Sequence, residues 1–352
     1  MSSMIRRNGK KGNYAYTVAR VKAKKSLLLS EEDYNKMLMM TVPEIARYIS
    51  ETGYGKEMAD LAVRQTGLNL LEHAIHLNMA KVFSSILQSS SGELCNMVSA
   101  YLEKWDIWNL KVILRGKSYG LDAESIKEDL VPAGALDAEA LNKLISFESD
   151  DDILANFGKM VHLSFPSEVL TAYKASGNLG EIEDFLEKAH YERLIKNISS
   201  ASRPTNLFLQ YIKEEIDIKN FETILKLKAE GIYGEQVMKY IIAGGRRIDN
   251  RQLLIFANAE SISSVMSDVA QLEFGEKIKD ALESNNLREA VVALKRFEFE
   301  KSKKFSHLYP LSVIPVIDYM IHKENEVRNI RTIARGTESG LNRDTIKGLL
   351  VI

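Results

Sequence analysis

Three stretches of the chain repeat one pattern at long and nearly constant intervals. Residues 105–121 read WDIWNLKVILRGKSYGL, residues 216–232 read IDIKNFETILKLKAEGI, and residues 325–341 read NEVRNIRTIARGTESGL. The shared frame is an acid, an aliphatic residue, any residue, Asn, an apolar residue, two variable positions, Ile, an apolar position and a basic residue, closed by a Gly-apolar pair. Aligned on Asn109, Asn220 and Asn329, the copies lie 111 and 109 residues apart. Solenoid repeats are much shorter, so this spacing predicts three units of several helices each.

Each copy reads as a helix with a start and a stop. Asp106, Asp217 and Glu326 stand where a carboxylate complements the positive end of a helix, which predicts that the helix begins there. Ile107, Leu110, Ile113 and Leu114 then share one face, as do Ile218, Phe221, Ile224 and Leu225. The same stripe places Ile113, Ile224 and Ile333 in the repeat core. Gly120, Gly231 and Gly340 follow the last turn, where glycine takes a left-handed cap at little cost, and Lys117 and Lys228 complement the dipole. The recurring Asn is expected to bond a helix end or a neighbouring repeat, a structural role rather than a catalytic one.

The similarity extends beyond this helix. LVPAGALD at 130–137 and IIAGGRRID at 241–249 each end a helix, turn on glycine and offer an Asp to start the next one. LSEEDYNKML at 29–38 aligns with LDAEALNKLI at 136–145. The expected units are therefore 30–136, 137–248 and 249–352, preceded by a basic arm and helix over 1–29. With only six prolines and twenty glycines interrupting a chain rich in Leu, Ile, Ala, Lys and Glu, the fold class is all-α. The single Cys95 excludes an internal disulfide and reads as a small core residue; without a secretory leader it points to a reducing cytoplasm. The most apolar stretch, 308–321, carries Pro310, Pro315 and Asp318, and reads as a buried helix rather than a membrane span.

Catalytic patterns fail on their own spacing. Gly116-Lys117-Ser118 resembles the end of a phosphate loop, but Lys111 occupies the position of the required first glycine. His73 and His76 lie three apart without the zinc-protease order or a third ligand, and no Gly-x-Ser-x-Gly elbow occurs. No cofactor, metal ligand set, nucleotide or nucleic-acid motif is expected. What remains is charge. All charged residues from 1 to 25 are basic (Arg6, Arg7, Lys10, Lys11, Arg20, Lys22, Lys24, Lys25), which suits a solvated arm, an acidic partner or an anionic membrane face. Arg115, Lys117, Lys226, Lys228, Arg246, Arg247 and Arg335 gather near helix ends and are candidate partner contacts. Reversing charge at Arg246 and Arg247 is expected to weaken assembly without lowering the melting temperature.

The triple unit, WDIWNLKVILRGKSYGL with its echo NEVRNIRTIARGTESGL, the turn LVPAGALD and the opening NYAYTVARVKAKKSLLL resemble the C subunit of archaeal A-type ATP synthases, a relative of the d subunit of eukaryotic vacuolar-type ATPases. The second copy departs from the pattern, with Lys226-Leu227-Lys228 in place of Arg115-Gly116-Lys117, and the third carries Thr337. The resemblance implies a non-catalytic rotor subunit at the cytoplasmic face of the cell membrane. Its helices would form a funnel of approximate three-fold symmetry that receives the central shaft and rests on the proteolipid ring. Ile113, Ile224 and Ile333 would then lie on helices related by about one-third of a turn. A free helical-repeat scaffold that binds peptides or partner helices is the alternative.

Overall fold

The computed structural model describes residues 11–198, 202–260 and 262–352, without the side chains of 262 and 263; Arg6, Arg7 and Lys10 of the basic arm lie outside the described residues. Among these residues the regular structure is entirely helical. A first helix, α1 (Tyr14–Lys25), precedes three sets of six. The first set is α2 (Glu31–Met37), α3 (Val42–Ser50), α4 (Gly55–Leu61), α5 (Gly67–Ser89), α6 (Gly92–Ser118) and α7 (Ala123–Glu128). The second is α8 (Ala138–Ile145), α9 (Asp150–Val161), α10 (Ser167–Ser176), α11 (Gly180–Asn197), α12 (Arg203–Ala229) and α13 (Glu235–Met238). The third is α14 (Asn250–Asn258), α15 (Met266–Ala270, after a 3-10 turn), α16 (Gly275–Glu283), α17 (Leu287–Leu308), α18 (Ile314–Glu338) and α19 (Arg343–Leu349).

The openings of the three sets are capped alike. Asp33 N–H donates to the Ser30 hydroxyl, Ala140 N–H to Asp137 and Gln252 N–H to Asp249, each satisfying an otherwise unpaired donor of a first turn. The ends of the long repeat helices are also alike. Gly120, Gly231 and Gly340 have φ of 69°, 79° and 69°. Leu121, Ile232 and Leu341 N–H reach back to the carbonyls of Gly116, Leu227 and Gly336, all at 2.9 Å, which is the Schellman closure that only glycine enters without strain.

The starts differ from the sequence reading. Asp106, Asp217 and Glu326 do not begin helices; they lie midway along α6, α12 and α18, which start at Gly92, Arg203 and Ile314. Pro204 and Pro315 occupy the first turns of α12 and α18, where the missing N–H is no loss. Of the apolar stretch 308–321, Leu308 ends α17 and the part from Ile314 onward opens α18, with Ile314, Val316, Ile317 and Met320 buried. No described helix is long and apolar enough to cross a membrane. Cys95 is half-buried on α6 rather than enclosed.

The chain forms two compact units, one comprising the chain up to Glu187 with Tyr319–Leu350, the other Lys188–Asp318 with the last two residues. Their cores are out of phase with the sequence repeats. In the first unit, Leu110, Ile113 and Leu114 of α6 are buried with Ile126 of α7, Leu141 and Leu144 of α8, Ile153 and Phe157 of α9, and Ile182 and Leu186 of α11. In the second, Phe221, Ile224 and Leu225 of α12 are buried with Val237 of α13, Phe256 of α14, Ile278 of α16 and Leu294 of α17. Each of these two long repeat helices thus shares its core with the helices of the following set.

Candidate functional site

The acid of each copy is buried, and its position follows from where those cores lie. Asp106 accepts the N–H groups of Ala135 and Leu136 at 2.8 and 2.9 Å, on the turn that leads into α8. Asp217 accepts those of Arg246, Arg247 and Ile248 at 3.0, 2.7 and 3.3 Å, on the turn that leads into α14. Burial nevertheless raises the Asp217 pKa above the ordinary carboxylate value. Glu326 accepts the N–H of Leu29 at 2.6 Å, immediately before Ser30 opens α2, and the Tyr54 hydroxyl at 2.5 Å. The first copy therefore holds the opening of the second set, the second holds the third, and the third holds the first.

The turns are shaped for this contact. A Cβ at Gly134 would run into the Asp106 carboxylate, and one at Gly245 into that of Asp217. At the third junction Glu326, one methylene longer than Asp, takes the place of the acid. The recurring Asn completes the grip. Asn109 donates to the Val131 carbonyl at 2.8 Å and accepts its N–H at 2.7 Å, and Asn220 does the same with Ile242 at 2.8 and 2.9 Å. Asn329 is hydrogen-bonded to Tyr34.

A second feature at each junction is an ion-pair clamp. Glu183 of α11 accepts Nε and Nη2 of Arg115 at 2.8 and 2.6 Å, with Lys111 at 3.9 Å. Glu72 of α5 is held in the same way by Arg335, through Nε and Nη2, and by Arg331 at 3.2 Å. Burial would raise the Glu72 pKa, but the two guanidinium groups bring it below the usual carboxylate value. The middle junction reverses the charges. There Glu222 lies on the repeat helix α12, at the phase of Lys111 and Arg331, and is paired with Lys295 of α17 at 2.7 Å and Lys226 at 2.6 Å. Against the effect of its burial, these two cations push its pKa down to about 2. Glu72, Glu183, Glu222 and Lys295 escaped the sequence reading. The signal was available, since Glu72 and Glu183 occupy the same phase of the repeat.

The candidate contact residues separate on these facts. Arg115 and Arg335 remain largely exposed while serving the clamps, and Lys226 is exposed beside Glu222. Arg247 is exposed and Lys117 half-buried. Lys228 is a correction: it is buried, its ammonium donates to the carbonyls of Ala257 and Ala259 at the end of α14, and burial lowers its pKa. Its charge is absorbed by carbonyls inside the second unit, so it offers nothing to a partner. Arg246 is paired with buried Glu214, which also binds Lys301 at 2.6 Å, so reversing its charge would set two carboxylates together and destabilise the chain itself. Ile113, Ile224 and Ile333 are fully buried.

Beside the exposed cations the helix ends carry apolar side chains. Tyr119 and Leu121 beyond α6 are 81% and 48% exposed, and Leu341 beyond α18 is 47% exposed. Mixed basic and apolar ends of this kind suit protein contact. His76, one turn from Glu72, is kept neutral; burial, followed by Arg331, pushes its pKa down to about 4. Among the described residues no three His, Cys, Asp or Glu side chains come together as a metal site would require.

Residues 17–349 match the family described as ATP synthase (C/AC39) subunit. The chain is 35% identical to the C subunit of the A-type ATP synthase of Methanococcoides burtonii, over 99% of this chain and 97% of that protein. It is 34% identical to the corresponding protein of Archaeoglobus fulgidus, over 98% of each, and 34% identical to that of Methanosarcina acetivorans, over 97% and 94%.

Proposed function

Since the chain belongs to the ATP synthase (C/AC39) subunit family, a non-catalytic part of that complex, we propose that it couples the central shaft to the membrane proteolipid ring. It would sit peripherally on the cytoplasmic face of the membrane, with its three repeats arranged as a funnel about an approximate three-fold axis. The observation that supports this reading is the cyclic order of the junctions, in which the third copy grips the opening of the first through Glu326 and Leu29. Three like junctions in cyclic order suit a closed sleeve. Packed helices deform little and transmit strain, as torque transfer requires. Contact with shaft and ring is assigned to the helix ends that carry Arg115, Lys117, Arg335, Tyr119 and Leu121, and to the surface of Lys226, Arg246 and Arg247.

The test is reconstitution of the complex in vesicles with and without this chain. ATP hydrolysis by the catalytic head is expected to persist without it, and ATP-driven ion transport to be lost. Near-normal transport without the chain rejects coupling; loss of hydrolysis by the isolated head moves the role toward the catalytic sites. Charge reversal at Lys117 and Arg247, which leaves the buried pairs intact, is expected to weaken assembly at low salt while the melting temperature of the isolated chain stays unchanged.

A further inference from the structure

The first helix carries a surface that the coupling role does not use. From residue 1 to residue 30 the sequence has no acid, and on α5 and its flanks none occurs between Glu72 and Glu93. Helix α1 is fixed against this region. Asn13 donates to the Ser89 carbonyl at 2.8 Å and accepts the Ser91 N–H at 2.9 Å, the Tyr14 hydroxyl donates to Glu93 at 2.8 Å, and Thr17, Val18 and Val21 are buried. The inner face is therefore committed, and the outer face is held rigidly toward solvent.

That outer face is amphipathic in its own right. Ala15, Tyr16, Ala19 and Ala23 run along its middle at helical spacing and lead to Leu27; Tyr16 is 58% and Leu27 77% exposed. Arg20 borders the stripe on one side and Lys22 on the other, with Lys11 at its start. Among the described residues Arg20 is bonded to neutral oxygens, the Ser85 hydroxyl at 3.1 Å and the Tyr16 hydroxyl at 3.3 Å, which do not cancel its charge. Ser84 and Gln88, bonded to each other at 3.3 Å, add hydroxyl and amide groups on the same helix as Ser85.

We propose that the outer face of α1, with the adjoining edge of α5, docks on anionic phospholipid headgroups. Uncancelled cations flanking a shallow apolar stripe with a tyrosine match the boundary between headgroups and acyl chains. The charge of Lys11, Arg20 and Lys22 is diffuse and meets no carboxylate among the described residues, which suits a fluid layer of phosphates better than a rigid set of carboxylates on a folded partner. Each cation near such a surface adds to the attraction, and Arg6, Arg7 and Lys10 extend the same sign along the sequence. The contact would be weak, reversible and salt-sensitive, an auxiliary hold beside the protein contacts proposed above.

Flotation of the full-length chain with vesicles of phosphatidylcholine alone, or mixed with phosphatidylglycerol, tests this directly. Binding is expected only to the anionic vesicles and is expected to fall with salt. Arg20→Glu with Lys22→Glu should weaken it by about tenfold or more. Lys143→Glu with Lys159→Glu, an equal charge change on exposed residues elsewhere in the same unit, should weaken it far less. Neither pair touches the core, so circular dichroism should report unchanged helicity. No binding to anionic vesicles, or equal loss in both charge-reversed pairs, overturns the proposal. Capture by soluble polyglutamate without vesicle binding overturns it too, and assigns the surface to an acidic protein.

Discussion

Replacing Asp106 by Asn keeps the size of the side chain but turns one of its two acceptors into a donor facing the N–H groups of Ala135 and Leu136. A buried N–H left without an acceptor costs about 1 to 3 kcal/mol, and this loss is expected in urea denaturation of Asp106→Asn. Gly134 tests the same contact from the other side. Gly134→Ala drives a methyl group into the Asp106 carboxylate, whereas Gly120→Ala meets open space and suffers only from its positive φ. The latter should cost about 1 kcal/mol; the former should cost clearly more, and equal midpoints for the two variants would show that the turn yields without loss. Ile113→Ala, at a fully buried position, is expected to cost ~2 to 5 kcal/mol. These residues differ in how legible they were. Ile113 and Gly120 declare themselves through spacing within one helix, but the partners of Asp106 lie 29 and 30 residues away and those of Glu326 as far as 297. An acid ahead of an aliphatic run looks like a helix start when only its neighbours are in view.

Among the helices, the reversed clamp at the middle junction has a consequence for pairing. If α12 met α5 or α11, Glu222 would face Glu72 or Glu183; if α17 met α6 or α18, Lys295 would face Lys111 and Arg115 or Arg331 and Arg335. Three homologous junctions would otherwise compete for one another, and like charges at wrong pairings raise the energy of those alternatives. Glu222→Lys gathers three cations at a buried site and is expected to cost about 3 kcal/mol. Adding Lys295→Glu rebuilds the arrangement of the other two junctions and should recover most of that loss; a double-mutant cycle with no coupling would mean that the clamp does not stabilise the junction. Acid provides a second check. Glu222 has a folded pKa of about 2 against an ordinary 4.5, so its contribution is fully present above pH 4.5 and disappears as pH falls toward 2. The stability gap between the protein and its Glu222→Gln variant, measured from pH 7 downward, should therefore hold to about pH 5 and then narrow. The recurring Asp starts and glycine stops of the helices were legible because they repeat in the sequence at nearly constant spacing. The clamps were not, since a surface Glu and a surface Lys carry no local mark of the helix they will meet.

For the whole chain, sequence order and spatial order disagree, and the disagreement can be tested. The last repeat helix, from Tyr319 onward, belongs to the same compact unit as α1 to α6: Glu326 holds Leu29 and Tyr54, Arg331 and Arg335 hold Glu72, and Lys104 is paired with Glu324 at 2.7 Å. Lys323 lies 3.8 Å from the centre of the Tyr54 ring, and burial lowers its pKa despite the attraction of Glu326. The second unit draws its core from α12 to α17 and needs none of these groups. Ending the chain after Asp318 would therefore leave Glu72 buried without its guanidinium partners and Tyr54 without its acceptor, far from the cut in sequence. Unpaired buried charge is among the costliest single defects, about 3 to 5 kcal/mol. Hydrogen exchange on such a truncated chain is expected to show protection lost across α2 to α5 and retained across α12 to α16. If the damage instead spreads from the cut into α16 and α17 while α2 to α5 stay protected, stability follows the linear order of the repeats, and the grip of the last copy on the first contributes little to holding the molecule together.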